Sequence, residues 1–426
     1  MVTKSEEILN IASSGQISLT SFAINGLFGR SSYEINFPYP RLEDPEPSIL
    51  ILSGRNGSGK TTILRMLKGL PTLDFDAFRA VPFESAVYRF SNNSTLEVNW
   101  INKKQFPIQV SFDGMSVALA LDKETDRYDD KHRSEIDEFR RVAHEVVGRL
   151  NIDFLDIHRS TALQKGPTLP DLRFLHDRGY AAIEKGETPS LASRVLKFMQ
   201  EAQVNYRRFF TAIDLELLPR ILKRITEKPD AIDAFSLTSR VNAVKNQAQE
   251  MQRLGLQVDE ADLNTLMSFL IDPTHNQNIQ SLSMIDAYVE MQESRQKARD
   301  LIAKRLLEFE EIMKEFLVGK SVLVDAQRGL RIIAEGGKTL KETDLSSGEY
   351  HFLYMMVTAL LCERTGSIIA IDEPELSLHV VWQRKVIRAL SRCASGASPL
   401  FIFATHSGAI AADHLDSVYP LTSVDE

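Results

Sequence analysis

Eight consecutive residues carry the clearest chemistry in this sequence: Gly54, Arg55, Asn56, Gly57, Ser58, Gly59, Lys60 and Thr61. They fit the pattern G-x-x-x-x-G-K-[ST] at every fixed position. Glycines there let backbone N–H groups approach phosphate oxygens, and the helix that follows adds the partial positive charge of its N-terminus. Lys60 supplies a point charge for β- and γ-phosphates, and the Thr61 hydroxyl is a ligand for Mg²⁺. With Thr62 leading into the helix, the stretch predicts a site for a polyphosphate with Mg²⁺.

Three further groupings follow in order. Leu345-Ser346-Ser347-Gly348-Glu349 opens a helix. Serine and glycine at a helix start leave N–H groups for an anion, although the same letters also spell an ordinary capping box. Ser367 to Ile371 is an apolar strand that ends in Asp372-Glu373-Pro374. One carboxylate at such an end can hold Mg²⁺ or its water shell, and the next can orient the water that attacks a γ-phosphate. Leu400 to Thr405 is a second apolar strand, ending in His406. A lone histidine at a strand end is more often structural. The joint order of loop, helix cap, strand-Asp-Glu and strand-His favours a contact with the γ-phosphate.

The elements that must position these residues are legible around them. Ser48 to Ser53 is a short apolar run that predicts a buried strand, and Thr62 to Leu67 starts a helix. Gln16 to Phe37 predicts a β-hairpin. Ala86 to Trp100, turning at Ser91–Ser94, and Phe106 to Leu121, turning at Asp113-Gly114, predict an antiparallel β subdomain. A charged loop over Asp122 to Lys131 precedes a helix from Ser134 to Leu150. Phe154 to Ile157 is a strand, followed by His158-Arg159-Ser160, a further site candidate. From Ser190 to Phe316 the pattern is helical, broken by Pro219, Pro229 and Pro273, and it ends in a long helix from Asn278 with no sustained heptad seam. Strand character returns over Val322 to Ile333. The fold class expected is α/β, an ATPase head of mixed sheet with an antiparallel β subdomain and an inserted helical domain. Its divisions are 1–185, 186–318 and 319–426.

Composition narrows the setting. The 426 residues carry a formal net charge of −8, so contact with nucleic acid must rest on a local basic patch. Tyr206-Arg207-Arg208-Phe209-Phe210 with Arg220, Lys223 and Arg224 is one such cluster, and Arg295 to Arg305 another. Both also read as solvated helix faces. The two cysteines, Cys362 and Cys393, are too few for a disulfide framework and suit a reducing cytoplasm. Neither a signal peptide nor an apolar run long enough for a bilayer is evident, so a cytoplasmic protein without a membrane is expected.

In combination these residues resemble the ABC class of ATPases, in the branch that includes SMC, RecF and OLD proteins. The stretches that carry the resemblance are Gly54 to Thr61, Leu345 to Glu349, Ile371 to Gln383 and Ala404 to Ser407. It implies a composite site. Lys60, Glu373 and His406 act in catalysis, and Thr61 and Asp372 serve the metal. Ser346, Ser347, Gly348 and Glu349 of a second subunit reach the γ-phosphate across a head-to-head homodimer or higher homo-oligomer. Two positions depart from the pattern: Ser347 stands where the signature has its first glycine, and His379 where many relatives have an aspartate. The glutamine loop is not assigned, Glu84 and Gln109 being candidates without a distinctive motif.

The resemblance leaves several functions to weigh. The 285 residues from Lys60 to Leu345 exceed the separation in transporter ATPase subunits, which makes that role the weaker one. A fused nuclease domain is not expected after His406. The similarity of the SLHVVWQ stretch and the short helical insert points to stand-alone ATPases of anti-phage systems, such as the Septu and PARIS types. In those systems the ATPase controls a partner effector nuclease. The alternative is a RecF-like clamp that binds DNA itself.

Overall fold

In the computed structural model, the structure describes residues 17–38, 46–127, 130–156, 190–204, 219, 221–222, 233–256, 260–272, 279–362 and 366–422. The chain divides into two compact units. One joins Met1–Thr188 to Ser346–Glu426, and the other is Pro189–Leu345.

The first unit begins with strands β1 (Leu19–Leu27) and β2 (Ser31–Asn36), then β3 (Ser48–Ser53) and helix α1 (Lys60–Gly69). Strands β4 (Ser85–Phe90), β5 (Thr95–Trp100), β6 (Ile108–Phe112) and β7 (Met115–Leu119) follow, then α2 (Asp130–Val147) and β8 (Ile152–Asp156). Six of these strands form an antiparallel sheet in the order β2-β1-β4-β5-β6-β7. The expected turns make it. Asn93 takes positive φ between β4 and β5, and Asp113 and Gly114 both do so between β6 and β7, the signature of a two-residue hairpin turn. Alternation then sends Tyr88, Phe90, Leu96, Val98, Ile108 and Val110 to one buried face. The Tyr88 hydroxyl, itself buried, donates to the Met66 carbonyl at 3.0 Å and ties this sheet to α1.

The second unit contains helix α3 (191–204), α4 (Ala234–Arg253), α5 (Glu260–Ile271) and the 38-residue α6 (Ile279–Phe316). Strands β9 (Lys320–Asp325), β10 (Gly329–Ala334) and β11 (Thr339–Leu340) form an antiparallel sheet in the order β11-β10-β9. Leu237, Val241 and Val244 of α4 pack with Leu263 and Leu270 of α5 and Leu282, Ile285 and Val289 of α6. Charge pairs tie the helices together as well. Arg240 donates to Glu293 at 2.7 and 2.8 Å and to Asp286 at 2.5 Å. Arg253 grips Glu310 with two hydrogen bonds of 2.8 Å, and Glu310 also accepts the Val324 amide of β9 at 2.7 Å. Buried Asp286, Gln292 and Arg299 interrupt the apolar side of α6.

The chain then returns to the first unit with α7 (Ser347–Leu360), β12 (Ile368–Asp372), α8 (Val380–Cys393), β13 (Leu400–Thr405) and β14 (Val418–Pro420). These strands complete a second sheet, in the order β14-β3-β13-β12-β8, with every neighbouring pair parallel. Every residue of β12 and β13 is buried, as a parallel sheet covered on both faces requires. One apolar core runs from the antiparallel sheet through α1 and α2 to this parallel sheet. Each fully buried Ile, Leu or Phe in it is worth about 1.5–3 kcal/mol over exposure. The result is the expected α/β class, with both the antiparallel subdomain and the helical unit present.

Candidate nucleotide site

The loop between β3 and α1 is shaped by what surrounds it. Gly59 has φ 97° just before the helix, and a Cβ there would meet Leu27 Cδ2 at 2.6 Å, so both backbone and space demand glycine. The Tyr33 hydroxyl on β2 donates to the Ser58 carbonyl at 3.0 Å and pins the loop from outside. Lys60 is buried, and its Nζ donates inward to the carbonyls of Gly54 at 2.7 Å and Arg55 at 3.1 Å. The loop therefore wraps around its own ammonium group. Thr61 and half-buried Thr62 continue into the first turn of α1, whose N-terminal amides end at this loop.

Register brings the other candidates to the same edge. In the parallel sheet Thr405 pairs with Ser53, Asp372 with Ala404, and Asp372 with Asp156. The C-terminal ends of four adjacent strands thus coincide, which is where open parallel sheets place their ligands. Asp372 is buried, and burial raises its carboxyl above the usual range. The Thr61 hydroxyl, hydrogen-bonded to it, opposes the rise, while the neighbouring charges of Glu373 and Asp156 add to it and Arg65 counters them. Asp372 Oδ1 is buried with no hydrogen-bond partner among the described residues. An orphaned carboxylate oxygen beside a threonine hydroxyl is a hard-oxygen donor pair that fits Mg²⁺.

Glu373 follows at φ 50°, a left-handed conformation rare outside glycine and met most often at functional sites. Its amide donates to Ala404 O at 2.8 Å, which holds the backbone beside the end of β13. His406 Nδ1 lies 3.7 Å from Glu373 Oε1 and 3.1 Å from Glu375 Oε1. Glu373 and His406, each expected at the site for its own role, therefore meet at one sheet edge. Glu375 was missed, although it sits in the same IDEPE run. Nothing in spacing alone distinguishes a buried partner of His406 from a loop glutamate.

The Ser346 to Glu349 stretch caps α7 with both halves of a capping box: Ser346 Oγ accepts the Glu349 amide at 3.4 Å, and Glu349 accepts the Ser346 amide at 2.8 Å. Ser347 lies in the first turn of α7. A Cβ on Gly348 would come within 2.4 Å of the Ser377 carbonyl, so the helix start approaches the loop after β12 as closely as backbone allows. That gives this glycine a packing reason within its own chain. His379 caps α8, its Nδ1 accepting the Val381 amide at 3.3 Å. Gln109 lies within the antiparallel sheet, on β6 opposite Asn99 and Ala118, and Glu84 immediately precedes β4. The candidates His158 and Arg159, and the cluster of Arg207, Arg208, Arg220, Lys223 and Arg224, lie outside the described residues. Among the described residues no helix is long and apolar enough to cross a membrane, and no cluster of three or more His, Cys, Asp or Glu could hold a metal by itself.

The family model described as "AAA domain, putative AbiEii toxin, Type IV TA system" matches residues 49–412. Among solved structures the chain is similar to the Smc head domain of Pyrococcus furiosus, with an extended coiled coil and bound to the C-terminal domain of ScpA. That match has 13% identity and a TM-score of 0.41, over 93% of this chain and 92% of the other. It is similar also to an SmcHead bound to the C-winged helix domain of ScpA, at 12% identity and a TM-score of 0.35, over 93% and 91% of the two chains. None of the curated proteins matches this chain.

Proposed function

This chain belongs to the AAA-domain family whose model matches residues 49–412, and we propose that it is an Mg²⁺-dependent ATPase that works as a switch. The single observation that supports this most is the shared edge of the parallel sheet. It gathers the Gly54–Thr62 loop, Asp372, Glu373 and His406. In this reading the loop amides, from Gly54, Arg55, Asn56, Gly57, Ser58 and Gly59, hold the phosphate chain, and Lys60 neutralises it. Thr61 and Asp372 are the residues that would hold Mg²⁺, which supplies charge neutralisation at phosphate oxygens when bound. Glu373 orients the attacking water as general base, and His406 contacts the γ-phosphate.

The switch extends to assembly. Ser346, Ser347, Gly348 and Glu349 sit at a helix start whose capping box takes up the amides of Ser346 and Glu349. We assign them to the γ-phosphate of a second copy, so that ATP joins two heads and hydrolysis parts them. The family description, naming a toxin and a Type IV TA system, supports a defence setting of the Septu or PARIS kind, with an effector nuclease as the controlled partner. Lys60→Ala tests the core of this proposal. The loop would lose its one fixed cation, and direct titration with Mg·ATP should show tight binding abolished. Parent-like affinity in Lys60→Ala would remove the proposal.

A further inference from the structure

We propose that Glu375 is the positioning residue for His406, through a closed latch of four side chains that no motif names. The inference rests on the ATPase reading for what His406 does, but its geometry stands by itself. Glu375 is 7% exposed, two residues beyond Glu373. Its Oε1 accepts the Thr405 hydroxyl at 2.6 Å and the His406 amide at 3.1 Å, and it lies 3.1 Å from His406 Nδ1. A 2.6 Å O–H···O contact falls in the short range of charge-assisted hydrogen bonds. One carboxylate oxygen thus fixes the end of β13, the backbone of the next residue and one nitrogen of its ring.

The latch closes on the far side. Thr405 Oγ1 accepts the Ser407 amide at 2.9 Å, and the Ser407 hydroxyl donates to Gln383 Oε1 at 3.0 Å. Gln383 Nε2 returns to the Leu378 carbonyl at 3.0 Å and the Glu375 carbonyl at 3.4 Å. Residues before and after His406 are therefore both tied to the loop that carries Glu373 and Glu375. The chemistry this imposes on the ring is specific. An ionised carboxylate can only accept, so an imidazole nitrogen facing two of them, at 3.1 and 3.7 Å, carries its proton there. Glu375 selects the Nδ1–H form and points Nε2 away from the loop. A buried acid behind a histidine fixes tautomer and orientation in this way without touching the substrate. Glu375 Oε2 is buried with no hydrogen-bond partner among the described residues, so no other donor draws the carboxyl away from the ring.

The test labels histidine with ¹⁵N in the full chain and assigns His406 by its loss in His406→Asn. The parent should show Nδ1 protonated. Glu375→Ala should move His406 toward the Nε2–H tautomer and slow single-turnover ATP hydrolysis by about 10–100-fold, with Mg·ATP affinity unchanged. Glu375→Gln keeps an acceptor for Thr405 and the His406 amide and serves where the alanine variant does not fold. It should show the same tautomer shift to a smaller extent. A parent that binds or hydrolyses no ATP would overturn the ATPase reading alone, because the ring signature still decides the role of Glu375. If the His406 signature is the same in the parent and both Glu375 variants, the latch does not position the ring and the inference is wrong.

Discussion

Two acids, Asp372 in the first unit and Glu293 in the second, are held in opposite ways. In the first, burial lifts the Asp372 carboxyl above the usual range, and the charges of Glu373 and Asp156 press it further. In the second, hydrogen bonds from Arg240 hold the Glu293 carboxyl below its usual range, against the pull of burial. Arg65 offsets the rise at Asp372 without reversing it, whereas Glu293 has its guanidinium in direct contact. The difference teaches how to tell a site from a strut. A strut completes its electrostatics internally and stabilises the fold. A site leaves a charge or an oxygen unmatched, as at Asp372 Oδ1, and stability is lost for that reason.

Four substitutions would sharpen or break the contrast. The largest effect belongs to Glu373→Gln. It preserves shape but removes the charge that orients water, so hydrolysis should slow by about 10² to 10⁴ while Mg·ATP still binds. ATP should then trap two joined heads, visible as an increased mass in solution scattering. An unchanged turnover rate would move Glu373 from the site to the scaffold. Gly348→Ala should come next. Its new Cβ must displace the Ser377 carbonyl, an overpacking that costs about 1–3 kcal/mol, read as a lower melting temperature with nucleotide affinity retained.

Arg240→Met probes the strut. It deprives Glu293 and Asp286 of their guanidinium, and with these groups partly open to solvent the cost should be about 1 kcal/mol. The lowered Glu293 pKa contributes stability above the ordinary glutamate range, and that stability fades as pH falls through its folded value. The variant's deficit should therefore be full at neutral pH and shrink in acid, while ATP binding is untouched. Asp372→Asn should have the smallest effect on stability, and the opposite sign. A raised carboxyl pKa disfavours folding of the ionised form, so the nucleotide-free variant should melt higher than the parent at neutral pH, and the gap should close as the pH drops and the parent's carboxyl takes up its proton. The same variant should lose the extra stabilisation by Mg·ATP. A lower melting temperature without nucleotide would mean that Asp372 is a strut after all.

The first unit was far more legible in the sequence than the second. Asn92-Asn93 and Asp113-Gly114 announce their turns, and the apolar runs Ile368–Ile371 and Leu400–Ala404 announce burial on two faces, because local chemistry alone decides those features. The loop, Asp372, Glu373 and His406 were readable for a similar reason: each sits at a strand end, and strand ends converge whenever the sheet is parallel. Glu375 was not readable as a partner, since its role depends on Thr405 and His406 lying across a strand pair rather than along the chain. In α6, buried Asp286, Gln292 and Arg299 blur the apolar stripe, and the pairing of Asp286 with Arg240 of α4 leaves no periodic trace. The short strand β14 has only three residues and no pattern of its own, and the pairing with β3 defines it.

The placement of β3 has a consequence for how the protein is made. Its two neighbours in the sheet are β13 and β14, which begin at Leu400 and Val418, whereas β3 itself ends at Ser53. On a ribosome adding about 5–20 residues per second, the strand before the phosphate loop waits tens of seconds with both edges unpaired. Unpaired apolar edges invite wrong partners. A cell that makes this chain must shelter the segment around Ile49 to Leu52 until β13 and β14 have emerged. Synthesis rate and chaperone supply should govern the yield of folded protein more than any single contact in the finished site.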